Sequence, residues 1–208
     1  MRKSTVVNLS KINIFHLKIN RIMLLLTVLF GVGVLLGAVT FFDFKTVSGI
    51  GKSFFDFYIK HHINISFGKT FFYSFIYFIF ALIIFFISGA SLMGIALVPF
   101  LMFSSGFLFG CFSSYLYGNY SVKGIAFNAV IVIPSFLIFV ITLVFSAREA
   151  LSFSYLLSKL TMPKSRPCNL YIDFKNYCGR FLILSLVIIF SVLIDSSISH
   201  FFIKFFEF

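Results

Sequence analysis

From Thr70 to Ala147 the chain runs for 78 residues with one formal charge, Lys123. A water-soluble domain carries charge on about a quarter of its residues, because those groups keep its surface solvated. Here the whole chain is only 11% charged and 60% hydrophobic. A bilayer is the solvent that suits such a sequence, and the expected fold class is an all-α membrane protein.

Five stretches are long enough to cross about 30 Å of hydrocarbon at about 1.5 Å rise per residue. They are Ile22–Phe42, Thr70–Ser88, Leu92–Phe112, Gly124–Ala147 and Phe181–Phe202. Residues 1–21 form a basic N-terminal segment, and 22–203 read as one polytopic domain. The first apolar run has 21 residues and no evident small-residue cleavage site, so it reads as an uncleaved span rather than a signal peptide. Between the second and third spans lie only Ser88-Gly89-Ala90-Ser91, four small residues that fit a tight helical hairpin.

Charge distribution sets the expected orientation. With the N-terminus in the cytoplasm, 11 of the 17 Lys and Arg residues fall on the inner side and 6 on the outer side. The net charge of +11 then belongs next to anionic membrane lipids, not to nucleic acid. The outer loop repeats Phe44, Val47, Ile50, Phe54 and Phe57 every three or four residues, the spacing of an interfacial amphipathic helix. In the inner loop, Leu156, Leu157 and Leu160 extend the fourth helix until Met162-Pro163, and a new helix is expected near Leu170, with Phe174 and Tyr177 on one face.

The chain carries structural signals in place of catalytic ones. The sequence has no H-E-x-x-H and no G-x-S-x-G, and its three cysteines form no C-x-x-C pair. No metal and no cofactor is expected; His61-His62 reads as an incidental loop pair. Gly33-x-x-x-Gly37 and Gly106-x-x-x-Gly110 each put two glycines on one helix face, suited to helix packing or to docking a partner's membrane anchor. Pro99 and Pro134 each remove a backbone donor and are expected to kink or loosen their spans. Asp195 is either a carboxylate near the outer headgroups, hydrated there, or a buried group paired with another span; hydration is the preferred reading. Arg148-Glu149 closes the fourth span as an interfacial pair, with the capacity to orient a docked protein.

The segment Ser88–Pro99 (SGASLMGIALVP), then Phe103–Gly110 (FSSGFLFG), resembles the central signature of the stage II sporulation protein M family. So does Gly118–Ser152, with Lys123-Gly124, Val132-Ile133-Pro134 and the run Ser146–Ser152; Gly31, Gly33, Gly37 and Asp195 are similar as well. Ser135-Phe136 stands where such members often carry Asn after the proline, and Asp195 where they often carry Glu. The resemblance implies a non-enzymatic scaffold in the bacterial cell membrane. It would act in forespore engulfment by holding the peptidoglycan-remodelling stage II sporulation proteins D and P. The alternative is a permease-like subunit working with a separate ATPase, for which Pro99, Pro134 and the basic inner loop speak.

Overall fold

The computed structural model describes residues 8–43, 49, 52–58, 66–161 and 170–202. Among them every regular element is helical: α1 (Asn8–Asp43), α2 (Phe67–Gly89), α3 (Gly94–Phe127), a π-helical turn (Asn128–Val132), α4 (Ile133–Leu160) and α5 (Leu170–Phe202). A short helical stretch covers 52–58. Four stretches of described helix are long and apolar enough to cross a membrane: Arg21–Thr40, Phe67–Gly89, Gly94–Leu160 and Leu170–Phe202. Large apolar side chains such as Leu35, Phe80, Phe100 and Leu186 stay exposed on their outer faces, as lipid-facing helices require. The chain is a multi-pass membrane protein.

The third of these stretches, Gly94–Leu160, is not straight. Ser121 takes φ 47° and ψ −123°, and the chain reverses there. Gly124 then nestles against the Leu116 carbonyl. Asn128 Nδ2 donates to Ser113 Oγ at 3.2 Å and to Tyr117 OH at 2.7 Å. Further along, Phe136 stacks on Phe109 with centroids 3.9 Å apart. Later residues meet earlier ones, so α4 runs antiparallel to α3.

The two prolines behave differently. Around Pro99 the α3 torsions remain helical, since Ser121 is the one non-helical residue inside that helix. The helix therefore continues through Pro99 without a break. Pro134 sits in the first turn of α4, directly after the π-helical turn. A wider turn accommodates the missing donor and the ring without breaking the helix.

Between α2 and α3 the turn closes as the small residues require. Ser91 N and Ser91 Oγ both donate to the Ser88 carbonyl, at 3.2 and 3.0 Å, and Ser154 Oγ from α4 reaches the Ser91 carbonyl at 2.8 Å. A Cβ on Gly89 would lie 2.6 Å from Ala150 Cα and would meet the Tyr177 hydroxyl. The inner-loop reading holds: α4 ends at Leu160 and α5 starts at Leu170, with Phe174 and Tyr177 ring centroids 6.4 Å apart. In 52–58 the buried residue is Phe55, with Phe57 exposed. That differs from the expected Phe54/Phe57 face, because Phe55 inserts among Phe112, Leu116, Phe127 and Ile131 at the α3–α4 reversal. Residues 44–48 and His61-His62 lie outside the described residues.

The interior is apolar. Leu26, Val98, Met102, Leu143, Ile188 and Val192 are buried at its centre, and Phe78 stacks on Phe139 at 4.2 Å and 15°.

Candidate functional site

Three polar or small-residue constellations organise the bundle. The first is the pair of glycine motifs. A Cβ on Gly33 would run into the Phe103 carbonyl and one on Gly37 into the Phe107 carbonyl. From the other side, a Cβ on Gly106 would strike the Phe30 carbonyl and one on Gly110 the Val34 carbonyl. The two motifs therefore face each other, in parallel register, inside one chain. Cys111 Sγ lies 3.6 Å from the Gly37 carbonyl and Ser114 Oγ 3.5 Å from that of Ala38, extending the seam. Both glycine faces are occupied, so neither is open to a partner's anchor; packing is their role here.

The second constellation centres on Asp195, which is 2% exposed. Ser74 Oγ of α2 donates to Oδ2 at 2.7 Å. Ser135 Oγ of α4 and Tyr58 OH donate to Oδ1 at 3.0 and 3.2 Å. Ser199 Oγ lies 3.4 Å from Tyr58 OH, and Ser191 Oγ donates to the Ser135 carbonyl at 2.8 Å. One carboxyl group thus joins α2, α4, α5 and the stretch 52–58. Asp195 is not the hydrated headgroup residue preferred from sequence. Its seven-residue distance from the end of α5 suits a depth of about 10 Å, but neighbouring elements enclose it laterally. Ser135 offers its single proton to two acceptors, Asp195 and the Val132 carbonyl at 3.1 Å, so the π-turn and the cluster share one hydroxyl.

The third lies at the opposite end of α4 and α5. Glu149 is buried and accepts from Arg148 Nη1 at 2.9 Å through Oε1 and from Arg180 Nη1 through Oε2. Arg148 Nε is buried without a hydrogen-bond partner. Next to this triad Tyr177 is stacked between Phe86 and Phe153, at 5.0 and 4.5 Å, and its hydroxyl donates to the Phe86 carbonyl at 2.8 Å. The sequence pairs Arg148 with Glu149; the structure adds Arg180, 31 residues further on.

Sequence reasoning singled out Asp195 but missed Tyr58, Ser74 and Ser199 as its surroundings. One signal was available: Ser191, Asp195 and Ser199 recur every four residues, a polar stripe along an apolar helix. Among the described residues no group of three or more His, Cys, Asp or Glu side chains gathers where a metal ion could be held. Compared with protein-family models, characterised proteins and solved structures, the chain finds no match.

Proposed function

We propose that the chain is a non-enzymatic scaffold of a bacterial cell membrane, crossing it five times with the N-terminus in the cytoplasm. Gly94–Leu160 spans 67 residues. That is about 100 Å of helix at 1.5 Å per residue, three times the hydrocarbon thickness, and its reversal at Ser121 suits two crossings. Following the resemblance to the stage II sporulation protein M family, the scaffold holds membrane-anchored peptidoglycan-remodelling proteins, the stage II sporulation proteins D and P, at the septum during forespore engulfment.

The observation that favours a scaffold over a permease is the packed apolar interior. Stacked phenylalanines and buried aliphatic side chains occupy the bundle axis, and the glycine seam and the Asp195 cluster brace it. A transporter needs a second arrangement of its helices around a central site, whereas close-packed cores resist graded deformation. Deletion of the gene in its host, with membrane-dye imaging during starvation, tests the role. Arrest at a flat or bulging septum is the expected result; normal engulfment would reject it.

A further inference from the structure

The Arg148–Glu149–Arg180 triad has more positive charge than it uses internally. Two guanidinium groups share one carboxylate, which leaves one net positive charge, and each arginine gives Glu149 only its Nη1. Arg180 remains 58% exposed at its side chain. From each arginine an exposed apolar row runs towards the middle of its helix. Along α5 the row is Ile183, Leu186, Val187 and Phe190; along α4 it is Phe145, Ile141 and Leu137. Counted from its arginine, each row ends about 15 Å along the helix, the depth of one leaflet's acyl region. Glu149 brings the heads of the two rows together.

We propose that Arg148 and Arg180, held in position by Glu149, form a binding site for the phosphate of an anionic phospholipid, whose acyl chains lie against these rows. A guanidinium presents a planar fork of donors that matches phosphate oxygens, and one monoanionic phosphate balances the residual charge. The charged end of the bundle thereby selects a lipid instead of merely tolerating the headgroup layer. This rests on the membrane placement alone and is independent of any role in engulfment.

The full-length protein, purified in neutral detergent, is titrated with phosphatidylglycerol or phosphatidylcholine and read by native mass spectrometry and thermal unfolding. Saturable retention of phosphatidylglycerol, at least tenfold tighter than phosphatidylcholine, is expected. Arg180→Gln should reduce that affinity tenfold or more. Lys159→Gln, which removes another basic side chain of α4, should change it less than twofold. Equal affinity for both lipids would overturn the site outright, and equal losses in the two variants would replace it by diffuse surface attraction. Displacement of the lipid by millimolar inorganic phosphate would assign the arginines to a free anion and also overturn it. Arg180→Lys keeps the charge, loses the fork and should fall between wild type and Arg180→Gln. If Arg180→Gln fails to fold, Arg180→Lys against Lys159→Gln decides the matter, since a loss confined to the first keeps the site and equal affinities overturn it.

Discussion

Ser121 occupies backbone torsions that belong to glycine. A non-glycine residue there costs about 1–3 kcal/mol, partly offset by the greater freedom of an unfolded glycine. Ser121→Gly is therefore expected to stabilise the protein by about 1 kcal/mol, measured as a raised unfolding midpoint in detergent. Asp195 works in the opposite sense. Replacing it by Ala would take the shared acceptor from the Ser74, Ser135 and Tyr58 hydroxyls at once, leaving Ser135 the Val132 carbonyl and Tyr58 the Ser199 hydroxyl, and would open a cavity among them. Asp195→Ala should destabilise by about 3 kcal/mol or more, and Ser74→Ala, which removes one donor and leaves the others bonded, by about 1.5 kcal/mol. Equal losses in the two variants would contradict the central position given to the carboxyl group.

Between elements, contact depends on backbone approach. Gly33, Gly37, Gly106 and Gly110 have no room for a methyl group, whereas Gly31, one residue from the face, has nothing within 4 Å of an added Cβ. Gly33→Ala or Gly106→Ala should cost about 1–3 kcal/mol through overpacking, and Gly31→Ala should be neutral or slightly stabilising, all read by reversible denaturant titration. The extent of α2, the Ser88–Ser91 turn and the start of α5 was legible from hydropathy, small residues and Pro163, because each depends on local composition. The pairing of the glycine motifs was not. Each motif announces a close contact, yet neither names its neighbour, and only the three-dimensional order of helices matches Gly33 with Phe103. The same holds for the stretch 52–58, whose buried face is set by the gap at the α3–α4 reversal instead of by its own periodicity. Asp195 was visible as an ionisable residue in an apolar run, but sequence depth says nothing of lateral enclosure.

At the level of the whole molecule, helix directions alternate. α1, α3 and α5 share one sense, as the parallel glycine seam requires, and α2 and α4 the other, since Ser74 meets Asp195 while Tyr177 meets Phe86. If α3 and α4 cross separately, Lys123 lies on the same side as Lys52, and Lys159 lies opposite. Single-cysteine replacements at these positions, made after removing Cys111, Cys168 and Cys178, should label from outside at Lys123 and Lys52 only. Labelling of both Lys123 and Lys159 from outside would reduce Gly94–Leu160 to a single crossing and reverse α5.

The parallel seam also has a consequence for how the protein is made. A ribosome releases Gly33 roughly seventy residues before Gly106, so at about 5–20 residues per second α1 waits some 4–15 seconds for the glycine face it packs against. During that interval the first helix stands in the bilayer with a bare backbone groove, while α2 emerges. Shape, not order of emergence, then selects α3 over the earlier α2. Slowing synthesis between Ser88 and Gly106 would lengthen the vulnerable period without altering a single residue of the finished bundle.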